Sequence, residues 1–554
     1  MLHRSLPDSD HHGRAARAGV DDWSGIRSRV PASGQATGRR GLGGFAIGPL
    51  MGLVTFAFLS WGLGRPAFWL DESASVVATQ RSWPDLFRLL QGADAPLVPY
   101  YAVLKTTTGF LRALSPGITA HPEVLYRLPS AVAVALACGV LIGWLDRQVP
   151  RALVLVTAAL LLLTGGLSRY GQEARPYGLV LLGAVSATVL WTAMIRDGRY
   201  RWMTGYAILV ALMVALHDLT AILVAAHLVA ALLVVPEERA TAARRTVGAG
   251  GAGLLMVSPL ALTTAWDGKG ASRFVSLTPG HLLTAFVELF SSFGSPVLGL
   301  GPIVLLAVLG LTRIWSPRYR FVAGLAAAWA LVPPALLLPA VMLRPNLLIA
   351  RYLLFTVPAW VVLAGLGMVT LAEVVWAVLH RLRVPRVVTV SVATGVVVTV
   401  LAATLSAQAP TLTGVRTAQG HGENIRPALA VTTRGADAGL PIVTSSRLGA
   451  TEVGAYDPAA AYRMVGLDLK PADTMIWPDA ATDQVRNQIL RRDSRVLLLL
   501  RDTSGNCTQR AGVTSEAQIT RCMPPVLRRL HYRVLTPGVG GFGWSVSTLV
   551  RIRA

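Results

Sequence analysis

The sequence predicts a mainly α-helical, polytopic membrane protein that carries a compact α/β domain at its C-terminal end. Of the 554 residues, 53% are hydrophobic and only 14% are charged, and the mean hydropathy is +0.53. Soluble domains carry about a quarter charged residues. Long uncharged runs recur up to about residue 408, and from residue 409 onward charges return and apolar runs shorten.

Residues 1–42 are polar and rich in Gly, Ser and Ala. No apolar segment precedes Arg39, so this stretch does not have the pattern of a cleavable signal peptide. We expect a disordered tail on the cytoplasmic side of the membrane.

Eleven apolar runs predict membrane spans, since a helix needs about 20 mainly apolar residues to cross a bilayer. These runs lie at roughly 45–64, 124–145, 152–168, 176–195, 203–217, 219–236, 246–266, 296–312, 320–341, 350–377 and 386–408. Segment 97–114 is too polar to be counted, because it contains Lys105, Arg112 and three consecutive threonines.

Basic loops predict the orientation, since short cytoplasmic loops are enriched in Lys and Arg. The strongly basic loops are 146–151, 196–201, 239–245, 313–320 and 381–386. These loops can all lie on the cytoplasmic side, together with Arg39 and Arg40, only if segment 97–114 does not cross the membrane. Residues 65–123, called the first loop below, and residues 409–554, called the C-terminal domain, are then predicted outside the cytoplasm.

The formal net charge of +22 comes from basic residues in the tail, the short loops and the C-terminal domain. This distribution indicates membrane topology and attraction to anionic lipid, and it does not indicate nucleic-acid binding.

The first loop has a helical pattern of its own. Apolar residues recur three and four positions apart, opposite Asp85 and Arg88, with Pro84 in the first turn. The apolar positions are Trp83, Leu86, Phe87, Leu89 and Leu90. The pattern predicts an amphipathic helix at the membrane interface, and an ordinary packed surface helix stays open.

In the C-terminal domain, segments 441–444 and 495–500 read as buried strands, and 425–439 and 480–492 read as helices. The alternation predicts a compact α/β domain. Cys507 and Cys522 can form one disulfide if this domain lies outside the cytoplasm.

Ionisable residues gather on the predicted outer side. Asp71 and Glu72 follow the first run, and Arg175 and Arg351 lie in later loops of the same side. A transporter would place such groups in the middle of its spans, where this chain has almost no acids. Carboxylates beside guanidinium groups suit a substrate with an anionic head on an apolar tail, because Arg binds phosphate through two hydrogen bonds.

Together these segments resemble the GT-C glycosyltransferases, in particular the protein-mannosyltransferase-like branch (glycosyltransferase family 39) and the bacterial aminoarabinose transferase. The resemblance covers roughly residues 45–380. In chain order its motifs are Leu70-Asp71-Glu72, 94–101 (DAPLVPYY), 126–131 (YRLPSA), 168–177 (SRYGQEARPY) and 350–355 (ARYLLF). The resemblance implies a GT-C fold, juxtamembrane helices in the first loop, and sugar transfer from a polyprenyl monophosphate on the outer face.

The resemblance also implies catalytic roles. Asp71 is the expected general base toward an acceptor hydroxyl, and Glu72 is expected to orient it or to bind sugar hydroxyls. A single base with inversion at the sugar is the simplest scheme, whereas retention would need a second carboxylate such as Asp94 or Glu173. No metal is required, and a divalent cation on Asp71 and Glu72 stays open.

Further residues are expected to bind the donor, because the leaving phosphate gathers charge in the transition state. Arg175 and Arg351 are the expected phosphate ligands, supported by Tyr177 and Tyr352. Gln172 and Glu173 are expected to hold Arg175 or to contact the sugar. His217, paired with Asp218, would orient the donor or be structural, and Lys105 and Arg127 would neutralise phosphate. The remaining candidates are Asp94, Tyr100 and Tyr101 of the first loop.

The predicted activity is transfer of a sugar, first of all mannose, to a cell-envelope glycan or lipoglycan. The Ala-, Gly- and Arg-rich composition is typical of an actinobacterial chain, which suggests mannose capping of lipoarabinomannan. An arabinofuranosyltransferase using polyprenyl-phosphoarabinose, a flippase for lipid-linked glycans and an assembly subunit without turnover stay open as alternatives.

Overall fold

The computed structural model describes residues 46–235, 238–267, 286–290, 296–343, 350–433, 437–444, 446–469, 476, 478–502, 506–507 and 512–552. These residues belong to one compact unit, Leu42–Ala554. The predicted tail 1–42 lies outside the described residues.

Helices make up almost all of the described chain as far as Gly414. They are α1 Ile47–Ser60, α2 Leu70–Gln80, α3 Trp83–Arg88, α4 Val98–Leu114, α5 Pro122–Leu145, α6 Arg151–Leu163, α7 Gly165–Gly171, α8 Tyr177–Asp197, α9 Tyr200–Leu216, α10 Ile222–Val234, α11 Arg239–Asp267, α12 Pro296–Leu311, α13 Arg320–Leu343, α14 Val357–Arg381 and α15 Arg386–Gly414. A 3-10 helix, Ala350–Thr356, precedes α14.

Six helices of the described chain are long and apolar enough to cross a membrane, and the bent pair α6–α7 would make a seventh. Four shorter apolar helices lie at 47–60, 200–216, 218–234 and 301–315. All of these helices coincide with predicted spans. The first-loop helix α4, which covers segment 97–114, is not among them, and the expectation that this segment does not cross stays a prediction.

The predicted span 152–168 is bent. Helix α6 ends at Leu163, and α7 leaves it at an angle of 58°. The bend allows a close approach: a Cβ on Gly166 would lie 1.6 Å from the carbonyl oxygen of Leu289, and the amide of Gly165 donates to Gln408 in α15. The bend therefore redirects the chain that leads into residues 172–177.

Helices α1 and α5 cross in close contact through glycines spaced four apart, Gly48 and Gly52 on α1 and Gly139 and Gly143 on α5. A Cβ on Gly139 would lie 2.9 Å from the carbonyl oxygen of Gly48. Small residues at this spacing let helix backbones approach closely, and this increases van der Waals contact where lipid offers no hydrophobic driving force.

The first loop packs around a hydrophobic core of its own, called the first-loop core. Its buried residues include Phe68, Leu86, Leu89, Tyr100, Tyr101 and Leu104, together with Ala455 and Ile476 from the C-terminal domain. Leu86 and Leu89 of the predicted amphipathic face point into this core, whereas Trp83 and Phe87 are 43% and 50% exposed and stack on each other. The apolar positions therefore lie on two faces of the segment, one buried in the first-loop core and one exposed.

The C-terminal domain is the predicted α/β domain. Its helices are α16 Arg426–Thr433, α17 Leu448–Tyr456, α18 Pro458–Tyr462, α19 Asp483–Arg492, α20 Glu516–Cys522 and α21 Pro525–Arg529. Its strands are β1 Ile442–Thr444, β2 Met464–Val465, β3 Leu467–Asp468, β4 Asp479–Ala480, β5 Arg495–Arg501, β6 Gly512–Thr514, β7 Tyr532–Val534, β8 Gly538–Gly540 and β9 Trp544–Arg551. Helix α16 begins where predicted but ends earlier than residue 439.

A mixed seven-stranded sheet forms the centre of this domain, in the order β2-β1-β5-β9-β8-β6 with β7 also on β9. Strand β1 runs parallel to β2 and β5, and β9 runs antiparallel to β5. Leu497 and Leu499 of β5 pack on one face of the sheet, and Leu498 and Leu500 pack on the other. Burial on both faces explains the unbroken apolar run in the sequence. Cys507 and Cys522 form a disulfide.

We predict that Gly139→Ala destabilises the protein by about 1–3 kcal/mol, because the added methyl group would overlap the backbone of α1. The control is Gly109→Ala in α4, where nothing lies within 4 Å of the added Cβ. That change should be neutral or stabilise by about 0.5–1 kcal/mol. Thermal unfolding of both variants in detergent checks this, and equal midpoints would contradict the close helix crossing.

Candidate active site

The candidate site lies at the first turn of α2, where Asp71 and Glu72 begin the helix. Carboxylates are favourable here because the unpaired backbone amides of a helix N-terminus attract negative charge. Consecutive helical residues point about 100° apart. The two carboxylates therefore face different surroundings: the side chain of Asp71 is 23% exposed and that of Glu72 is fully buried.

Glu72 is held by three groups from distant parts of the chain. Arg127 of α5 donates from Nε to Oε1 and from Nη2 to Oε2, both at 2.7 Å. The backbone amide of Ala174 donates to Oε1 at 2.9 Å. Nδ1 of His421, from the C-terminal domain, lies 3.0 Å from Oε2. Arg127 itself is fully buried and also donates to the carbonyl oxygens of Leu63, Pro66 and Ala67.

The charges of this cluster follow from its contacts. Burial raises the pKa of Glu72, but the charge of Arg127 and the hydrogen bonds outweigh burial and hold that pKa well below its ordinary value. Burial, with the charges of Arg169 and Arg127, keeps the pKa of His421 well below its ordinary value. Glu72 and Arg127 are therefore an ion pair, and His421 is neutral.

These contacts bear on two expected roles. The carboxylate of Glu72, expected to orient Asp71 or to bind sugar hydroxyls, is enclosed and occupied by protein groups. The guanidinium of Arg127, expected to neutralise phosphate, is fully buried and bonded to Glu72 and three carbonyl groups.

Asp71 faces two arginines from distant segments of the chain. Nη2 of Arg351 lies 2.6 Å from Oδ2 of Asp71, and Nη2 of Arg175 lies 3.8 Å from the same oxygen. Arg175 also donates to the backbone oxygen of Asp71 at 3.3 Å. Nε of Arg351 donates to the hydroxyl of Tyr177 at 2.9 Å. A partly exposed carboxylate thus lies beside two fixed cations, an arrangement that can bind an anion next to a base.

Aromatic rings line the same site. Tyr352 meets His217 edge to face with ring centres 4.7 Å apart, and Tyr177 lies 6.0 Å from His217 and 6.4 Å from Tyr352. The six residues Asp71, Arg175, Arg351, Tyr177, Tyr352 and His217 thus lie together.

Gln172 and Glu173 do not hold Arg175 as expected. The amide of Gln172 donates to the carbonyl oxygens of Leu59 and Trp61, at the end of α1. Glu173 is buried and pairs with Arg169 at 2.7 Å. Burial raises the pKa of Glu173, against the charge of Arg169. Both side chains anchor the turn that leads into Arg175 and Tyr177.

Lys105 also lies away from the expected phosphate site. Its Nζ donates to the carbonyl oxygens of Thr79 and Arg81 at the end of α2, so it caps the C-terminal end of that helix. This cation therefore stabilises the first loop and does not reach Asp71.

The other first-loop candidates are buried beneath the site. Tyr100 and Tyr101 belong to the first-loop core. Asp94 is 6% exposed and accepts a hydrogen bond from the amide of Ile476 at 3.4 Å. Burial raises the pKa of Asp94. These side chains support α2 from within the loop and contact the C-terminal domain.

Sequence reasoning missed three residues of the site. Trp69 places its ring under Arg351, 5.0 Å from the guanidinium carbon, and Arg169 lies 6.0 Å from the same ring. His421 reaches Glu72 across 349 positions. Trp69 adjoins the motif 70–72 and Arg169 lies within the motif 168–177, so both have a local signal, whereas no local signal marks His421.

The two carboxylates considered for a divalent cation are engaged by protein groups: Glu72 is bonded to Arg127, and Asp71 to Arg351. In the described ranges, no group of three or more His, Cys, Asp and Glu side chains could hold a metal ion.

Comparison with solved structures identifies the architecture. The structure of ArnT from Cupriavidus metallidurans bound to undecaprenyl phosphate superposes with a TM-score of 0.53 and 12% sequence identity, over 90% of this chain and 97% of that chain. The chain has the GT-C fold. This confirms the fold class expected from the sequence.

Two other chains with a GT-C fold are similar at lower scores. The Archaeoglobus fulgidus oligosaccharyltransferase has a TM-score of 0.45 and 11% identity, over 76% of this chain and 64% of that chain. The arabinosyltransferase EmbB from Mycobacterium smegmatis has a TM-score of 0.40 and 15% identity, over 66% and 41%. No protein-family model and no curated protein sequence matches the chain.

We predict that Glu72→Gln lowers the free energy of unfolding by about 3–5 kcal/mol, because it leaves the buried Arg127 without its counter-charge. The matched control is Asp483→Asn, which breaks an Asp–Arg pair of the C-terminal domain whose carboxylate is 81% exposed. Exposed pairs contribute about 0–1 kcal/mol.

Denaturant unfolding of the purified protein in detergent compares the two variants. An equal loss of stability in both would contradict the assignment of Glu72 and Arg127 as a buried structural pair.

Proposed function

We propose that this protein is a membrane glycosyltransferase that takes a sugar from a polyprenyl-phosphate donor and transfers it to a cell-envelope glycan or lipoglycan. The observation that carries the proposal is the 2.6 Å contact between Asp71 and Arg351, with Arg175 at 3.8 Å. It places a partly exposed carboxylate beside two cations that suit a phosphate. The shared fold with ArnT, a protein solved with undecaprenyl phosphate bound, supports the choice of lipid.

The proposed reaction is one displacement at the anomeric carbon. The acceptor oxygen forms the new glycosidic bond while Asp71 takes its proton, and the bond from the anomeric carbon to the phosphate oxygen breaks. The phosphate leaves with the electron pair. Arg351 and Arg175 stabilise its charge, and Tyr177 donates a hydrogen bond from its hydroxyl. Glu72 acts only by fixing the helix that carries Asp71.

Mannose is the first candidate sugar, on the resemblance to the mannosyltransferase branch, and arabinose is the second. Lipoarabinomannan capping is the specific form of the proposal. We place the reaction on the outer face of the membrane. The disulfide between Cys507 and Cys522 supports this orientation, because disulfides persist in oxidising compartments.

We predict that Asp71→Asn lowers kcat for sugar transfer by about 10²–10⁴-fold, the usual contribution of a general base. The assay uses membranes, radiolabelled polyprenyl-phosphomannose or polyprenyl-phosphoarabinose, and an envelope lipoglycan fraction as acceptor. The matched control is Asp85→Asn, in the same loop but paired with Arg88 on α3, which should keep wild-type activity.

Transfer that survives Asp71→Asn unchanged would refute Asp71 as the base. Wild-type protein that consumes neither donor would refute the enzyme proposal itself, and movement of lipid-linked glycan between leaflets without a new glycosidic bond would favour the flippase.

The orientation is tested by cysteine labelling. Gly117→Cys in the first loop should react with a membrane-impermeant maleimide in intact cells, and Tyr200→Cys, whose natural residue is 85% exposed, should react only after permeabilisation. The background should be low because Cys138 is buried and the other two cysteines are bridged. The reverse labelling pattern would contradict the proposed topology.

A further inference from the structure

The segment that leads into Asp71 is held in place by the C-terminal domain. Residues 67–69 have no regular structure, so their backbone groups need partners elsewhere. The amide of Ala67 donates to the carbonyl oxygen of Ala418 at 2.9 Å. The amide of Phe68 donates to the hydroxyl of Tyr456 at 2.7 Å. Both partners lie beyond the last span.

Tyr456 ends helix α17, which lies along α2. The side-chain amide of Gln80 donates to the carbonyl oxygen of Gly454 at 3.3 Å. A Cβ on Gly454 would lie 3.5 Å from Val77. The rings of Phe68 and Tyr456 pack with centres 5.2 Å apart. The helix that carries Asp71 thus has α17 as a direct neighbour.

The Tyr456 hydroxyl joins three parts of the structure. It accepts from Phe68 and donates to Oε1 of Glu123 at 2.9 Å, at the start of α5. Glu123 is 6% exposed and also pairs with Arg426 at 3.2 Å. Burial raises the pKa of Tyr456 well above its ordinary value, so the hydroxyl keeps its proton and its donor role.

We propose that Tyr456 is a positioning residue for sugar transfer, and that the C-terminal domain thereby sets the place of Asp71. This inference rests on the proposed function. Phe68 lies three residues before Asp71, and its side chain is fully buried. Loss of the hydroxyl leaves the amide of Phe68 without its acceptor and frees the segment to shift. Arg351 keeps its hydrogen bond to the hydroxyl of Tyr177, which Tyr456 does not contact, so we expect the loss to fall on kcat more than on donor binding.

The test is Tyr456→Phe in the full-length protein, assayed for transfer from polyprenyl-phosphate sugar at varied donor concentration. We expect kcat to fall about 10–100-fold, since a misplacement of about 1 Å can cost 10²-fold. The KM for the donor should stay within about twofold. The matched control is Tyr462→Phe in the same domain, whose side chain is 62% exposed, and it should match wild type in both constants.

Several outcomes overturn the inference. They are an unchanged kcat in Tyr456→Phe, a donor KM that rises in parallel with the loss of kcat, and the same loss of kcat in Tyr462→Phe. If wild type transfers sugar and Tyr456→Phe transfers it with the same kcat, only the inference fails. If wild type transfers none, the proposed function fails and the inference falls with it.

A cross-link keeps the inference testable if Tyr456→Phe does not fold. Val77→Cys combined with Gly454→Cys would join α2 to α17 by a disulfide, because the two positions are in contact. We expect the cross-linked protein to keep the kcat of the single-cysteine variants. A loss of kcat on cross-linking would show that turnover requires α17 to leave α2, and would overturn the inference.

Discussion

The buried ion pair between Glu72 and Arg127 is the constraint on which the rest of the site depends. Both side chains are fully buried, and burying two charges costs several kcal/mol for each ion unless they are paired and fully hydrogen-bonded. The hydrogen bonds that offset this cost form only when α5, the first loop, residue 174 and His421 are all in position. The pair therefore makes these four distant parts of the chain depend on each other.

This constraint explains how two adjacent carboxylates come to differ. A helix turns about 100° per residue, so once Glu72 is fixed toward Arg127, Asp71 must point elsewhere. It points toward Arg351 and Arg175 and stays partly exposed. A structural pair on one face of the turn thus leaves a carboxylate beside two cations on the other. In the proposed reaction, the buried Glu72 thereby orients Asp71.

The C-terminal domain belongs to the same unit of the structure and not to a separate module. Ala455 and Ile476 complete the first-loop core, and Ala418, His421 and Tyr456 bind within four residues of Asp71. Because residues 67–69 form no helix or strand, their position depends on these contacts. A domain far away in sequence therefore takes part in placing the candidate base.

The sequence by itself determined the helical membrane class and the α/β domain, because hydropathy and periodicity are local properties of a chain. The motifs around Asp71, Arg175 and Arg351 were also visible. Only the tertiary structure decided which polar residues face one another. Gln172 and Lys105 look like ligands in the sequence, yet each binds backbone oxygens at a helix end. His421 has no local signal, yet it lies against Glu72 across 349 positions. Such contacts depend on packing between distant segments, which no local pattern encodes.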